Sequence, residues 1–242
     1  MPPILRLDNV SRHFAGLAAV NGVSFEIEAG ALIGLIGPNG AGKTTLLSLV
    51  AGALKPTSGK IEFEGRRLRG AKSFRAVHAG IARTHQVPKP FRTLTVLENV
   101  EVGLQFGRKK KGKSVAGEAL EVLKSVGIGH LAPMPASLLS VGDLKRLELA
   151  RALAARPSLL LCDEVCSGLT ENETGKILRL LCEIRSAGTT ILYVEHNLRA
   201  IMSVCDHLVV MDHGQKLVEG TPDSVQNNPA VIEAYIGRKA VI

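Results

Sequence analysis

The first chemical indication in this chain is a glycine-rich segment that ends in a lysine and two threonines. Residues 37–45 read Gly-Pro-Asn-Gly-Ala-Gly-Lys-Thr-Thr, which fits the spacing Gly, four residues, Gly-Lys-Thr. The segment follows an apolar run over residues 31–36 and precedes a helix predicted to begin near Thr44, as a phosphate-binding loop requires. Glycines let the backbone wrap closely around an anion, which the inward N–H groups and the following helix attract. An accidental glycine-rich turn is the alternative, but the strand–helix context favours a nucleotide site.

The residues of this loop have predicted parts in binding. Lys43 is expected to reach the β- and γ-phosphates of a nucleotide, and the Thr44 hydroxyl is expected to ligate Mg²⁺. The predicted nucleotide-binding residues here are Gly37, Pro38, Asn39, Gly40, Ala41, Gly42, Lys43, Thr44 and Thr45.

Two carboxylates follow an apolar strand predicted over Leu159–Cys162. Asp163 at this place would hold Mg²⁺ through water, and Glu164 would polarise an attacking water molecule. An ordinary strand followed by an acidic turn would have the same residues. The phosphate-binding loop earlier in the chain favours the catalytic interpretation.

Gln86 and His196 lie where two further predicted strands end. Gln86 follows Ile81–His85 and is predicted to face the metal or the attacking water, while His196 follows Ile191–Val194 and is predicted to donate to a γ-phosphate oxygen. A lone Gln or His is usually a satisfied polar residue, so the prediction depends on this placement. The predicted catalytic set is therefore Lys43, Gln86, Glu164 and His196, and the predicted metal ligands are Thr44, Gln86 and Asp163.

The pattern along the chain predicts an α/β fold. Short apolar segments separated by turn signals at Asn21-Gly22 and Ala29-Gly30 indicate antiparallel strands in the first 28 residues. Apolar runs at Leu32–Ile36, Leu159–Cys162 and Thr190–Val194 indicate a parallel sheet with its site at the carboxyl ends of the strands. Between Val87 and Ala155 the periodicity becomes helical, and Val96, Val100 and Leu104 are predicted to share one helical face. We expect one domain with its core and β-subdomain in residues 1–86 and 156–220, a helical subdomain in 87–155 and a helical tail in 221–242.

Composition narrows the class of protein. Of 242 residues 45% are hydrophobic and 21% charged, which indicates a globular chain. Aromatic residues make up 3% with no Trp, which argues against a nucleic-acid stacking surface, so no nucleic-acid partner is predicted. Charges near the amino terminus and the absence of a long apolar run predict a cytoplasmic chain. The four cysteines, Cys162, Cys166, Cys182 and Cys205, lack metal-ligand spacing and are predicted to be buried, reduced thiols.

The formal net charge is +8, and much of it is concentrated in one run. A solvated loop is the simplest interpretation of such a run, and attraction to anionic lipid headgroups beside a membrane partner is the alternative. The run consists of Arg108, Lys109, Lys110, Lys111 and Lys113.

Residues 139–153 complete a resemblance to the ATP-binding cassette family that extends over essentially the whole chain. They begin Leu-Ser-Val-Gly-Asp and resemble the family signature and its helix. The resemblance implies a P-loop NTPase with a RecA-like core, an antiparallel β-subdomain and an inserted α-helical subdomain. It implies an ATPase in which two cassettes close head to tail around two Mg-ATP. Ser140 and Gly142 would contact the γ-phosphate bound by the other subunit, and Phe14 would stack on adenine.

The chain departs from the family pattern at four positions. Val141 replaces the usual first Gly of the signature, and Asp143 replaces its Gln. Val165 stands where Pro is common, and Thr170 where Asp is usual. None of these positions is a predicted metal ligand or general base.

A narrower resemblance concerns what is transported. Residues 13–23, 94–100, 194–197 and the tail from Glu219 are similar to ATP subunits of high-affinity branched-chain amino-acid uptake systems. It implies membrane-spanning permease subunits, a second ATP-binding subunit in a hetero- or homodimer, and indirectly a solute-binding protein. The chain would then lie on the inner face of the cell membrane. A lipid or lipopolysaccharide-type exporter ATPase and a soluble, non-transport cassette remain alternatives.

Overall fold

The computed structural model describes residues 2–68, 70, 72–106 and 114–236, and the basic run at 108–113 lies outside them. The strands of the described residues are β1 (Leu5–Phe14), β2 (Leu17–Ile27), β3 (Leu32–Ile36), β4 (Ser58–Phe63), β5 (Arg66–Arg67), β6 (Ile81–Arg83), β7 (Leu159–Asp163), β8 (Thr190–Val194), β9 (His207–Asp212) and β10 (Gln215–Gly220). The α-helices are α1 (Lys43–Val50), α2 (Ser73–Ala79), α3 (Val96–Phe106), α4 (Val115–Ser125), α5 (Val141–Ala154), α6 (Glu171–Ser186), α7 (Leu198–Met202), α8 (Pro222–Gln226) and α9 (Pro229–Ile236).

A six-stranded sheet forms the centre of the fold, in the order β10-β9-β3-β8-β7-β6. Strands β9, β3, β8, β7 and β6 run parallel, and β10 is antiparallel at one edge. Every residue of β3, β7 and β8 is buried because helices or the second sheet cover both faces, which explains their continuous apolar sequences. These three strands confirm the sequence prediction, and the parallel arrangement brings their carboxyl ends to one edge.

A four-stranded antiparallel sheet, in the order β2-β1-β4-β5, packs beside the first sheet. The predicted turn at Asn21-Gly22 is wrong, because both residues lie inside β2. Gly22 has φ 64° and its N–H donates to the Ser11 hydroxyl at 2.9 Å, beside shifts in the β1–β2 register. The left-handed glycine therefore kinks a long strand, while the chain reverses at Ala15-Gly16.

Helices α3, α4 and α5, which follow β6 and precede β7 along the chain, pack against one another. Val96, Val100 and Leu104 are buried along one face of α3, as the helical spacing predicts. Thr221 caps α8, and Pro222 lies in its first turn. Within the described ranges, no helix has the length and apolar character needed to cross a bilayer.

All four cysteines are free thiols, but they are not all buried. Cys162, Cys166 and Cys205 are buried, whereas Cys182 is half-buried, which corrects the prediction for that residue. Burial raises the pKa of Cys166 to about 11, so this thiol stays protonated at neutral pH.

Candidate active site

The loop between β3 and α1 forms a cleft at the carboxyl edge of the parallel sheet. The cleft has a volume of about 500 Å³ and is lined by residues 39–45 together with Glu164 and residues 17–19 of β2. Lys43 is the first residue of α1, so the amino end of this helix opens into the cleft. Unpaired N–H groups at a helix amino end attract anions, and phosphate suits this position.

Two glycines of the loop are required by its packing. Gly37 has φ 145°, and a Cβ there would lie 2.1 Å from the Met211 carbonyl oxygen. Gly42 has φ 96°, and a Cβ there would lie 2.2 Å from the Ala19 carbonyl oxygen. Any side chain would displace the backbone, so glycine spacing in the sequence reflects close approach as well as backbone conformation.

Lys43 is folded back onto its own loop. Its Nζ donates to the carbonyl oxygen of Gly37 at 2.6 Å and to that of Pro38 at 2.9 Å. Burial lowers the pKa of Lys43, and the nearby charges of Glu164 and Asp163 oppose that shift. The ammonium group is thus held by two carbonyls that an incoming phosphate can replace.

Asp163 ends β7 and forms an ion pair that the sequence analysis did not predict. Arg83 Nη2 lies 2.7 Å from Asp163 Oδ2, and Arg83 Nη1 donates to the Ser48 hydroxyl at 2.9 Å. Arg83 ends the neighbouring strand β6, so its position at a strand end was the available signal. The guanidinium orients a carboxylate that is only 4% exposed.

Glu164 is brought together with Gln86 and His196. Gln86 Nε2 donates to Glu164 Oε2 at 2.5 Å, and His196 Nδ1 lies 3.8 Å from the same oxygen. The Glu164 backbone has φ 46°, and its N–H donates to the Val194 carbonyl oxygen at 2.9 Å. The predicted catalytic groups of the strand ends therefore meet at one carboxylate. In this structure the Gln86 amide contacts that carboxylate, whereas the sequence predicted a metal or water contact.

Buried Glu195 supports His196, and the sequence analysis missed it. Glu195 is 1% exposed, and its Oε1 lies 3.1 Å from His196 Nδ1. Its Oε2 accepts a hydrogen bond from the Tyr193 hydroxyl at 3.0 Å. A carboxylate directly before the histidine was the only sequence signal for this pairing.

Lys145 of α5 binds the backbones of both Gln86 and Glu164, and the sequence analysis did not predict this role. Its Nζ donates to the carbonyl oxygen of Gln86 at 2.5 Å and to that of Glu164 at 3.2 Å. Burial lowers the pKa of Lys145, while Glu195 and other neighbours raise it. The lysine holds the backbones of both residues whose side chains meet, and nothing local in the sequence indicates these distant acceptors.

Ser140 and Gly142 lie apart from the cleft, at the amino end of α5. Ser140 is exposed, its hydroxyl donates to Asp143 Oδ2 at 2.6 Å, and it accepts from the Asp143 N–H at 3.2 Å. Within one chain Ser140 is therefore a helix cap. Phe14 pairs with Leu17, which lines the cleft, and the Arg12 guanidinium lies 4.5 Å from the centre of its ring.

Sequence comparisons match this chain to transport ATPases. The family described as ABC transporter matches residues 20–167, and that described as Branched-chain amino acid ATP-binding cassette transporter matches 215–241. The chain is 35% identical to the high-affinity branched-chain amino acid transport ATP-binding protein BraF of Pseudomonas aeruginosa, covering 97% of this chain and 98% of BraF. It is 37% identical to LivG of Escherichia coli K12, which has the same description, over 97% and 98% of the two chains.

Solved structures agree with these sequence matches. A nucleotide-free ATP-binding cassette from an ABC transporter superposes with a TM-score of 0.88 at 32% identity, over 97% of this chain and 99% of that chain. The ADP conformation of another such cassette gives 0.89 at 32% identity, over 98% and 100%. A dimeric post-hydrolysis cassette bound to ADP and Pi gives 0.81 at 26% identity, over 90% and 98%.

Proposed function

This chain belongs to the ABC transporter family of ATP-binding cassettes and is an ATPase, and from that premise we propose that it energises the import of branched-chain amino acids or related small polar solutes. The observation that carries the proposal is the pair of matches over the family core and the branched-chain carboxyl-terminal segment. Relatives that are similar over nearly their full length carry the same transport description. The chain would act on the inner face of the cell membrane, bound to permease subunits.

The proposed mechanism begins with the phosphate loop. Backbone N–H groups of residues 39–45 bind the phosphates of ATP, and Lys43 leaves the carbonyls of Gly37 and Pro38 to contact the β- and γ-phosphates. Gln86 holds Glu164 through Oε2, so Glu164 Oε1 is left to take a proton from the attacking water. His196, supported by Glu195, donates to a γ-phosphate oxygen.

The same edge of the sheet has suitable donors for Mg²⁺. Thr44 offers a hydroxyl, Gln86 an amide oxygen and Asp163 a carboxylate, which are the hard oxygen ligands that this ion prefers. Among the described residues no group of three or more His, Cys, Asp or Glu side chains could hold a metal. Bound Mg²⁺ would neutralise phosphate charge.

A second cassette would complete each site. The exposed amino end of α5 presents Ser140 and Gly142 to another subunit, and a helix amino end suits a phosphate. The Ser140 hydroxyl would exchange its contact with Asp143 for one with the γ-phosphate, and Phe14 would stack on adenine. A similar cassette has been solved as a dimer with ADP and Pi, which supports this arrangement.

If Ser140 contacts the nucleotide bound by the other subunit (the trans contact), mixing two inactive chains should restore ATP hydrolysis. A Lys43→Ala chain and a Ser140→Arg chain should each be inactive alone, whereas their mixed dimer contains one composite site that carries neither lesion. ATP hydrolysis should therefore recover on mixing. Ser137→Arg adds the same side chain three residues earlier and should keep most activity. No recovery, despite mixed dimers demonstrated by differential tags, would contradict the trans contact.

The transport assignment is tested with the native assembly. The tagged chain is purified from solubilised membranes, and ATP hydrolysis is measured with and without leucine-loaded solute-binding protein. We expect permease subunits to copurify and the loaded binding protein to stimulate hydrolysis. Stimulation by lipid in place of the binding protein would overturn the importer assignment in favour of an exporter. A soluble, non-transport cassette would show neither permease subunits nor stimulation.

A further inference from the structure

The short helix α9 reaches the phosphate loop through a tyrosine. Helix α9 packs against α8 and β10, and Val231 on its inner side is buried. Tyr235 is half-buried, and its hydroxyl oxygen accepts a hydrogen bond from the Gly37 N–H at 2.7 Å. A residue close to the carboxyl end of the chain thus contacts the first glycine of the loop.

A cavity lies between α9 and this loop. Its volume is about 690 Å³, and it is lined by residues 38–41 of the loop and by Ala230, Glu233 and Ala234 of α9. Tyr235 is not among its lining residues, and its hydroxyl contacts the loop at Gly37, the residue directly before them. The hydrogen bond between Tyr235 and Gly37 is therefore a direct contact of α9 with the loop, whereas residues 38–41 face α9 across the cavity.

Gly37 is held at both of its backbone polar groups. Its N–H donates to Tyr235, while its carbonyl oxygen accepts from Lys43 Nζ at 2.6 Å. Gly37 itself is buried, so an N–H without an acceptor there would be costly. Tyr235 and Lys43 therefore each bind one backbone polar group of Gly37, the first residue of the phosphate-binding loop.

We infer that Tyr235 is a positioning residue of the phosphate loop, through which α9 sets the affinity for ATP. The inference rests on the proposed binding of phosphate by Lys43. In the free chain two contacts hold Gly37. When Lys43 moves to phosphate, the Tyr235 hydrogen bond remains as the contact that fixes Gly37, so its loss weakens the bound state more than the free state.

The tyrosine remains in its neutral form at physiological pH. Burial raises the pKa of Tyr235, and the bond from Gly37 opposes that shift. The phenol oxygen accepts this hydrogen bond through a lone pair, so the contact with Gly37 does not depend on the ionisation of the tyrosine.

Tyr235→Phe tests the inference because it removes the hydroxyl and keeps the ring. In the full chain we expect the Kd for a fluorescent ATP analogue to rise roughly three- to tenfold, from the usual strength of one hydrogen bond. The KM for ATP should rise by a similar factor while kcat at saturating ATP stays nearly constant. Ile232→Ala, which truncates an exposed side chain on the same helix, should leave both Kd and KM unchanged.

Thermal unfolding separates positioning from stability. We expect ATP to raise the Tm of Tyr235→Phe less than it raises that of the wild type, because weaker binding stabilises less. An unchanged Kd, an equal effect of Ile232→Ala, or a lower kcat with constant KM would overturn the role of Tyr235. If Lys43→Ala weakens ATP binding while Tyr235→Phe does not, this inference fails and the proposed function stands.

Discussion

Glu164→Gln is expected to lower ATP hydrolysis by about 10²–10⁴-fold while ATP still binds. The amide keeps the size of the carboxylate and can still accept a hydrogen bond from Gln86, which now lies 2.5 Å from Oε2. It cannot take a proton from water, so the base is lost without a change in shape. Phosphate release at saturating ATP measures the first effect, and the Kd for a fluorescent ATP analogue measures the second.

Glu171→Gln provides the matched control for this substitution. It makes the same change at an exposed carboxylate in the first turn of α6, so hydrolysis should stay close to the wild-type rate. Hydrolysis by Glu164→Gln at the wild-type rate, in a preparation free of other ATPases, would show that another group acts as the base.

Lys43→Ala is expected to weaken ATP binding by roughly 10- to 100-fold, because charge-assisted contacts to phosphate are among the stronger hydrogen bonds. Lys43 lines the cleft beside the phosphate-binding loop, and Ala would leave the carbonyls of Gly37 and Pro38 without this donor. Titration of the fluorescent analogue gives the change in Kd. Hydrolysis should fall as well, since the γ-phosphate loses a positive partner.

Lys124→Ala is the matched control for Lys43. It removes an exposed lysine from the last turn of α4, and the Kd for ATP should stay unchanged. Equal Kd values for Lys43→Ala and the wild type would contradict phosphate binding by Lys43 and the mechanism proposed for the phosphate-binding loop.

The parts of the fold that could be predicted from sequence are those set by local pattern. Strands β3, β7 and β8 are buried on both faces, so each is a continuous apolar run that the sequence displays directly. The phosphate loop was predictable because its glycines are fixed by close approaches to the Met211 and Ala19 carbonyls. Such constraints limit which residue type a single position can hold, so they can be recognised in the sequence.

Contacts between distant segments could not be predicted. Lys145 meets the carbonyls of Gln86 and Glu164, and Tyr235 meets the N–H of Gly37, which lies 198 positions away in the chain. Backbone groups have no sequence signature as acceptors or donors. Asn21-Gly22 was misinterpreted for a related reason, because a left-handed glycine suits a bulge in a strand as well as a turn.

The central claim is that ATP hydrolysis, with Glu164 as the base, energises solute import. Leucine uptake into proteoliposomes tests this claim most directly. They would contain the purified transporter, with ATP on the side of this chain and solute-binding protein on the other. The account predicts that radiolabelled leucine accumulates with the wild-type chain and falls to the ATP-free level with Glu164→Gln. Equal accumulation with the two chains, or no ATP-dependent accumulation with the wild type, would contradict it.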